Sequence, residues 1–511
     1  MDEALPQEAE VGVIGAGAMG AGIAQIAAQA GHRVHLFDTR MGAADQAKGR
    51  LGETLTGLAA KGKITQADAA AAIARITPVH ALGDLASAAL VVEAIVEDLD
   101  VKRKLLRELE VVVTPDAILA SNTSSLSITA LAAGLKRPGR VVGMHFFNPA
   151  PVLPLVEVVS GLATQPATAA VVYATAKAWG KVPVHAASTP GFIVNRCARP
   201  FYAEALHVLA ERAAEPATID AVMRDAGGFR MGPFELMDLI GNDVNLAVTR
   251  SVWEAYFHDS RFTPSVLQQE LVAAGFLGRK TGRGFFGYEP DAVKPAPQAE
   301  APQPRPRRIR VAGDALMAGG LRDRLAASGF DVAPIAVNAA VAPGYLLADD
   351  TYLVPCDGRT ATAIAAQGGV KNVVVFDLAF DYRNCTRLAL ARADTCSDQA
   401  AAAAVGALQA SGLAVSRLDD VAGLIVMRTV AMLANEAADA VTQGIANVGD
   451  IDVAMRNGVN YPRGPLAWAD AIGLPHTCAV LRHLAAHYGE DRYRISPLLA
   501  RRCATGARLG G

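Results

Sequence analysis

The chain has few of the features that mark membrane, nucleic-acid-binding and disulfide-stabilised proteins. Only 19% of its 511 residues are charged and the formal net charge is -2, so neither a nucleic acid nor an anionic membrane is an expected partner. No uninterrupted apolar run approaches the roughly 20 residues that a membrane-crossing helix needs. The six cysteines form no CxxC or zinc-finger spacing, which favours a reducing compartment. We therefore expect a cytoplasmic protein that binds no metal.

The N-terminal part of the sequence predicts alternating strands and helices. An apolar run that begins at Val11 stops at Gly15, and a segment with Ile23 and Ile26 at helical spacing follows it. Alternation of this type favours a doubly wound, mostly parallel Rossmann-type sheet with helices on both faces, which is an α/β fold. The predicted strands are 11–15, 34–37, 90–95, 118–120 and 141–144.

The pattern changes to long helical periodicity after Pro190, which predicts an all-α domain. Residues 289–308 read EPDAVKPAPQAEAPQPRPRR, a composition typical of a semi-rigid linker. The predicted domains are a Rossmann-type domain at 1–188, a helical domain at 189–290, a linker at 291–308, a degenerate Rossmann-like domain at 309–421 and a second helical domain at 422–511.

The second half of the chain repeats the first but lacks its chemical residues. Residues 11–34 align with 309–332, and residues 191–238 align with 423–470 at a second constant offset. No histidine lies between His258 and His476, so the second sheet domain is expected to act as a scaffold. The second copy replaces Gly17, Gly20, Asp38 and Asn195 by Ala315, Ala318, Ala336 and Met427.

A GxGxxG motif lies between the first predicted strand and helix, where it could bind a dinucleotide. The three glycines, Gly15, Gly17 and Gly20, allow a tight turn whose amides face a pyrophosphate. Asp38 ends the next strand and is positioned for a ribose 2′-hydroxyl, which favours NAD over NADP. Arg40 could weaken that preference, and a bare glycine motif is often only a tight turn.

Polar residues follow or interrupt three later apolar runs. The segment SNTSSL, which contains Ser124, follows one strand, and His145 comes at the end of the next. Glu157 is a lone carboxylate inside LVEVV, so it needs a partner if it is buried, and His145 is the most plausible one. The alternatives are a structural histidine, a surface Glu157 that meets a lysine, and serines that cap the next helix.

The motifs GAGAMG, VVEAIVED, SNTSSL, HFFNPAPVLPLVEVV, TPGFIVNR and GRKTGRGFFGY together resemble the (S)-3-hydroxyacyl-CoA dehydrogenase family over residues 9–290. The resemblance implies NAD as cofactor and an acyl-CoA as substrate. It implies His145 as general base, Glu157 as its orienting partner, and Ser124 and Asn195 as residues that hold the substrate oxygen. It further implies NAD contacts by Glu97, Lys102, Asn148 and Lys280, and coenzyme A contacts by Thr54 and Lys61.

Two of these roles have simpler alternatives in the residues themselves. Asn195 could be a helix cap, and Lys61 belongs to the sequence KGK, which is also typical of a solvated turn. Arg196, Arg199 and Arg230 lie near the start of the helical domain, where they could meet the distal carboxylate of a dicarboxylic acyl group.

The order of the whole chain resembles longer bacterial members of the family, which oxidise 3-hydroxyadipyl-CoA in phenylacetate catabolism. The alternatives are a 3-hydroxybutyryl-CoA dehydrogenase, a dehydrogenase of free hydroxy acids with a catalytic lysine, and a non-catalytic binding protein on the same fold. Helical domains of this family usually pair between subunits. The second helical copy is therefore expected to supply an internal pairing partner, and a homodimer of the whole chain remains an open alternative.

Overall fold

The structure is a computed structural model in which residues 3–313 and 319–510 are described. The described residues form fifteen strands in two sheets. The strands are β1 Glu10–Ile14, β2 Val34–Phe37, β3 Ile76–Val79, β4 Ala88–Glu93, β5 Ile118–Ser121, β6 Val141–Phe146, β7 Leu155–Ser160, β8 Val182–Ala187, β9 Ile309–Ala312, β10 Val332–Ile335, β11 Tyr345–Ala348, β12 Thr351–Pro355, β13 Val373–Phe376, β14 Arg387–Arg392 and β15 Ala414–Arg417.

Twenty α-helices occur in the same residues. They are α1 Ala18–Gln29, α2 Ala43–Ala60, α3 Gln66–Arg75, α4 Leu99–Val112, α5 Ile128–Ala132, α6 Pro166–Ala178, α7 Val194–Cys197, α8 Arg199–Ala210, α9 Pro216–Asp225, α10 Pro233–Ile240, α11 Asn242–Ala255, α12 Val266–Ala273, α13 Gly319–Ala327, α14 Ala361–Gly368, α15 Asp398–Ala410, α16 Val426–Thr442, α17 Val448–Gly458, α18 Pro465–Ile472, α19 Leu474–Tyr488 and α20 Pro497–Thr505.

The chain divides into two compact units. The first contains residues 1–196 and 443–459, and the second contains residues 197–442 and 460–511. The segment 443–459 therefore belongs with the N-terminal sheet although it lies in the second helical region of the sequence. The boundaries of the predicted domains were drawn from the internal sequence repeat, whereas these two units are defined by compactness. The predicted boundaries therefore stay a prediction.

The first unit is built on an eight-stranded sheet with the order β3-β2-β1-β4-β5-β6-β7-β8. All neighbouring pairs are parallel except β6 and β7, which are antiparallel. Its strands are nearly continuous apolar runs because helices cover both faces, and Val13, Leu36 and Val92 are fully buried. The helix α17 packs against β7 and β8, where Asp450 accepts a hydrogen bond from the amide of His185.

The second unit contains a seven-stranded mixed sheet with the order β10-β9-β11-β12-β13-β14-β15. Three of its pairs are antiparallel, namely β9 with β11, β11 with β12, and β13 with β14. One end of this sheet repeats the arrangement of the first sheet. There β13, β14 and α15 correspond to β6, β7 and α6, and the same sequence offset relates all three pairs. The predicted replacements Ala315 and Ala318 lie outside the described residues.

The proline-rich segment 289–308, all of which is described, contains no helix or strand, but it is fixed to its surroundings. The amide of Gln298 donates to Thr218 Oγ1 at the start of α9, and the amide of Glu300 donates to the carbonyl of Val415 in β15. The linker therefore runs along both repeats of the second unit instead of spanning open solvent.

Residues 3–313 and 319–510 contain no membrane-spanning helix, no metal-binding cluster and no disulfide bond. No helix there combines the length and the apolar character needed to cross a membrane. No group of three or more histidine, cysteine, aspartate or glutamate side chains is arranged to hold a metal ion. All six cysteines are free, and five of them are buried.

Candidate active site

The loop between β1 and α1 folds so tightly that two of its glycines cannot carry a side chain. Gly15 has a φ of +101°, and a Cβ there would lie 2.5 Å from the carbonyl oxygen of Ala94. A Cβ on Gly20 would collide with the carbonyl oxygen of Gly15. A Cβ on Gly17 would meet nothing within 4 Å, so this residue leaves open space at the start of α1. The turn therefore presents bare backbone at a helix N-terminus, where phosphates bind.

A cavity of about 540 Å³ opens beside this turn. Its volume is in the range of roughly 300–1,000 Å³ that small-molecule and cofactor sites occupy. The glycine turn, an acidic residue and apolar side chains all line it, which fits the adenosine half of a dinucleotide. Its lining includes Gly15, Gly17, Asp38, Leu82, Ile95, Val96, Val101, Lys104 and Glu108.

Asp38 lines this cavity, and both of its carboxylate oxygens accept hydrogen bonds. The amide of Ala16 donates to Oδ2 over 2.8 Å, and Arg40 binds both oxygens through its backbone and guanidinium. Burial acts to raise the pKa of Asp38, but the hydrogen bonds from Arg40 and Ala16 outweigh it and the pKa is lowered. Asp38 is therefore an anionic acceptor at neutral pH, as recognition of a ribose hydroxyl requires.

Glu97 organises the loop that carries Ser124. Its Oε1 accepts hydrogen bonds from Thr123 Oγ1 at 2.6 Å, from the Ser124 amide at 2.9 Å and from the Ser125 amide at 3.1 Å. Burial acts to raise the pKa of Glu97, but Thr123, the Lys102 ammonium and the Ser124 amide lower it on balance. Lys102 is itself buried, with its ammonium 2.9 Å from both oxygens of Glu93 and 3.3 Å from Glu97.

His145 and Glu157 form a buried pair. The antiparallel register of β6 and β7 places them directly opposite each other, and His145 Nδ1 lies 2.7 Å from Glu157 Oε2. His145 is only 6% exposed and Glu157 is fully buried. The ring of His145 also contacts the rings of Phe147 and Phe192, with centroids 4.5 and 5.9 Å away. The lone carboxylate of LVEVV therefore has the partner that its burial requires.

The second oxygen of Glu157 binds the backbone of the TPGFIVNR segment. The amides of Ile193 and Val194 both donate to Oε1 over 3.0 Å. Phe192, just before them, has a φ of +47°, a conformation that is costly for a side chain of this size. Glu157 thus fixes the backbone from which α7 starts as well as the imidazole.

The same segment brings Asn195 next to Ser124. Asn195 Nδ2 donates to the carbonyl oxygen of Ser124 over 3.4 Å, within the first unit. Ser124 is partly exposed, and its hydroxyl lies 3.3 Å from Glu97 Oε1. The structure therefore groups Ser124, Asn195 and the His145–Glu157 pair through the strand ends and the start of α7.

The other predicted contact residues lie outside this group of four side chains. Thr54 and Lys61 are exposed on α2 and at its C-cap, and Asn148 is exposed two residues beyond β6. Lys280 belongs to the second unit, where its ammonium pairs with Asp243. Lys102 does not line the 540 Å³ cavity because Glu93 and Glu97 hold its ammonium. The roles of these residues toward NAD and coenzyme A stay predictions.

The second unit keeps the strand arrangement of this site but lacks its proposed catalytic side chains. The offset that aligns β14 with β7 puts Asp377 at the position of His145 and Ala389 at that of Glu157. The Asp377 carboxylate accepts hydrogen bonds from the amides of Ile425 and Val426, which are the counterparts of Ile193 and Val194. One carboxylate thus takes over the anchoring role of Glu157, and the imidazole and Asn195 are absent, since Met427 replaces the latter.

Comparison with known proteins agrees with this geometry. The family model described as the NAD-binding domain of 3-hydroxyacyl-CoA dehydrogenase matches residues 10–189, and that of the C-terminal domain matches 191–288 and again 423–510. The model of a reduced Rossmann-fold domain of 3-hydroxybutyryl-CoA dehydrogenase matches 353–421. The 3-hydroxyadipyl-CoA dehydrogenase of Escherichia coli is 43% identical over 96% of this chain and 97% of its own length.

The chain belongs to the 3-hydroxyacyl-CoA dehydrogenase family. A crystal structure described as 3-hydroxybutyryl-CoA dehydrogenase from Escherichia coli K12 covers 98% of both chains with a TM-score of 0.89 and 41% identity. A probable 3-hydroxybutyryl-CoA dehydrogenase of Deinococcus radiodurans is 44% identical over 54% of this chain and 99% of its own length. The predicted fold class, the NAD cofactor and the dehydrogenase activity are confirmed.

Sequence reasoning missed three features of the dehydrogenase site. Glu93, which pairs with Lys102, is a lone carboxylate at the end of an apolar strand, so the argument used for Glu157 would have found it. Thr123, which caps the serine loop and binds Glu97, looks like any other residue of a polar turn. Lys104 and Glu108 line the nucleotide cavity from the exposed face of α4. Their sequence pattern is that of any solvent-exposed helix face, so it does not indicate this position.

Proposed function

We propose that this dehydrogenase oxidises the 3-hydroxyl of an (S)-3-hydroxyacyl-CoA with His145 as general base and Glu157 as its positioning partner. The observation that carries the proposal is the 2.7 Å contact between His145 Nδ1 and Glu157 Oε2. When Nδ1–H donates to the carboxylate, Nε2 is left as a proton acceptor. Nε2 has no hydrogen-bond partner among the described residues, so it is available to a substrate hydroxyl.

The proton of the substrate hydroxyl passes to Nε2 of neutral His145, and the imidazolium that forms is stabilised by the Glu157 carboxylate. Bound NAD supplies the acceptor for the hydride that leaves carbon 3. Gly15, Gly17 and Asp38 would hold the dinucleotide, since they line the cavity at the start of α1. In the reverse direction His145 returns the proton, so high pH favours oxidation.

Ser124 and Asn195 are proposed to hold the oxygen on carbon 3. The contact between Asn195 and the Ser124 carbonyl supports this assignment because it brings a side-chain amide and a hydroxyl to one place. Both groups can donate a hydrogen bond to an oxygen that gains negative charge as its proton leaves. Glu97 supports the pair by fixing the Ser124 amide.

The proposed substrate is 3-hydroxyadipyl-CoA. The support is the 43% identity to a protein of that name over nearly the full length of both chains, including the second, degenerate half. The test is a steady-state comparison of 3-hydroxyadipyl-CoA and 3-hydroxybutyryl-CoA with NAD. We expect kcat/KM to be at least about tenfold higher for 3-hydroxyadipyl-CoA, which corresponds to one additional charged contact. Equal values for the two substrates would contradict the assignment.

The second candidate substrate is 3-hydroxybutyryl-CoA. It is favoured by the name of the Escherichia coli crystal structure that covers 98% of this chain, and by the names of the half-length relatives. The same comparison of the two substrates decides between the candidates, since kcat/KM would then be higher for the C4 substrate.

The second helical copy is proposed to act as an internal pairing partner. In the second unit α16 packs on α8, and the buried Arg428 Nε lies 2.9 Å from Glu204 Oε2. Arg261 binds Asp439 of α16, and the rings of Phe229 and Trp468 are 5.5 Å apart. These contacts support a pairing of the two helical repeats that needs no second chain.

The predicted cytoplasmic location belongs to the same proposal. It rests on the six cysteines, all of which are free and form no disulfide pattern. Cell fractionation tests it, and recovery of the protein with the periplasmic or extracellular fraction would contradict it.

A further inference from the structure

A second cavity, of about 250 Å³, lies entirely within the second unit. The helices α8 and α11 and the segment 261–268 form its walls, and Arg492 closes it. Since one water occupies about 30 Å³ of liquid, the space is large enough for a small organic molecule. Nothing in the proposed dehydrogenase mechanism uses this cavity.

Three arginines face this space, and none of the residues that line it in the described chain is acidic. Arg199, Arg261 and Arg492 are 6%, 4% and 3% exposed. Buried guanidinium groups are costly unless each N–H has a partner, so an arginine cluster around a cavity indicates an anion.

Two nitrogens of Arg492 lie at ion-pair distance from carboxylates but make no hydrogen bond to them. Its Nε and one terminal nitrogen are buried without a hydrogen-bond partner in the described residues. One oxygen of Glu204 and one of Glu490 are each 3.8 Å away, beyond hydrogen-bond distance, and the other oxygen of Glu204 is held by Arg428 at 2.9 Å. Arg261 also has a buried Nε without a partner, although its terminal nitrogens bind Asp439 and the Arg494 carbonyl.

The rest of the wall suits a hydrocarbon chain that ends in an anion. Leu206, Phe262 and Pro264 line the cavity between the arginines. His207 also lines it, and burial together with the nearby Arg492 lowers its pKa to about 4, so the ring is neutral at pH 7 and can donate one hydrogen bond. An inorganic anion would leave the apolar wall without contact, whereas an organic acid would use both surfaces.

We propose that the cavity between α8, α11 and Arg492 is a binding site for a small aliphatic carboxylate, whose charge is bound by Arg492 and Arg261. The carboxylate belongs either to a free dicarboxylic acid or to the end of a dicarboxylic acyl group. This inference goes beyond the proposed function, because the dehydrogenase mechanism does not use the cavity. A binding measurement can test it without an activity assay.

The experiment measures binding of adipate to the full-length protein by calorimetry, with the uncharged analogue adipamide for comparison. We expect adipate to bind, adipamide not to bind, and Arg492→Gln to weaken adipate binding at least about tenfold. Arg383→Gln is the matched control, since it removes an equal charge from an exposed ion pair, and should bind adipate like the wild type. If adipate does not bind the wild type, or binds Arg492→Gln equally well, the cavity holds water only and the proposal is overturned.

A second variant covers the case in which Arg492→Gln does not fold. Ala203 lines the cavity from α8, so Ala203→Phe would fill the space without removing a charge. We expect this variant to retain NADH binding and lose adipate binding. Adipate binding that survives in a folded Ala203→Phe protein would contradict the location of the site.

Kinetics then distinguish the two sources of the carboxylate. If it belongs to the acyl group, Arg492→Gln raises KM for 3-hydroxyadipyl-CoA but not for 3-hydroxybutyryl-CoA, and adipate competes with the former. If it belongs to a free acid, KM for both substrates stays unchanged. A failure of the proposed substrate preference would leave the adipate binding intact, so the two proposals fail separately.

Discussion

The carboxylate of Glu157 lies directly opposite His145 on a neighbouring antiparallel strand, and it binds the imidazole with one oxygen and two backbone amides with the other. Because both oxygens are held, the carboxylate cannot rotate without losing hydrogen bonds in a buried site. The orientation of the imidazole is therefore set by the start of α7 as well as by the sheet, which links the position of Asn195 to that of the proposed base.

Glu157→Gln should lower kcat by roughly 100- to 10,000-fold, because it changes the proton position on His145. If the glutamine oxygen keeps the two backbone amides, its NH₂ faces Nδ1, and the neutral imidazole then carries its proton on Nε2. That nitrogen cannot accept the substrate proton. Steady-state kinetics and NADH titration measure the effect, and NADH affinity should be unchanged.

Glu110→Gln provides the matched control for this variant. Glu110 also accepts two backbone amides, from Lys136 and Arg137, but contacts no histidine. The kcat of the Glu110→Gln variant should stay within about twofold of the wild-type value. Equal losses in the two variants would mean that Glu157 acts only on backbone structure, contrary to the positioning role proposed here.

Asp38→Ser should lower kcat/KM for NAD by about 10- to 100-fold, because a charged acceptor for the ribose hydroxyls is lost. Arg40, now without its carboxylate partner, becomes available to a 2′-phosphate, so the ratio of NADP to NAD activity should rise. Both cofactors are compared at saturating substrate. Asp45→Ser, an exposed acid on α2, should leave the ratio unchanged, and an unaltered ratio in Asp38→Ser would argue against the ribose contact.

Asp377→Asn should reduce stability, since Asp377 anchors the start of α16 in the second unit. Burial raises the pKa of Asp377 to about 6, although backbone amides partly oppose this shift. A raised pKa in the folded state adds stability at low pH that is lost as pH rises through 6. The substitution should therefore lower the free energy of unfolding, measured with urea, by about 1 kcal/mol more at pH 5 than at pH 8. The opposite pH trend would exclude the raised pKa.

Arg428→Met should cost about 3–5 kcal/mol of stability, because it removes the partner of a buried carboxylate, Glu204, at the contact of α8 with α16. If α16 takes the place of a second subunit, loosening this contact should also produce dimers or aggregates in light scattering. Arg322→Gln, which breaks an exposed ion pair with Asp323, should change stability by less than about 1 kcal/mol. A monomeric Arg428→Met protein of wild-type stability would contradict the internal pairing.

The first sheet could be predicted well because its strands are long apolar runs that end at glycine or polar residues. The His145–Glu157 contact followed from the cost of burying one carboxylate in LVEVV. β3 and β8 were missed because ITPV and VPVHAA both contain proline, which is rare inside strands.

The second sheet could be predicted only in outline. The antiparallel pair β11 and β12 is joined by Asp349 and Asp350, and this turn lacks the glycine that usually marks a two-residue hairpin. Asp377 replaces Glu157 as the residue that binds the backbone at the start of the helical repeat. This role could not be predicted, because it depends on hydrogen bonds from backbone amides and not on side-chain types.

The most direct test of His145 as the general base is single-turnover hydride transfer in His145→Gln, followed by NADH absorbance at saturating NAD and 3-hydroxyacyl-CoA. The exposed His80→Gln variant serves as control. We expect a rate at least about 100-fold below that of the wild type with NADH affinity retained, and no change in the control. A His145→Gln protein that transfers hydride at the wild-type rate would contradict the assignment of the base.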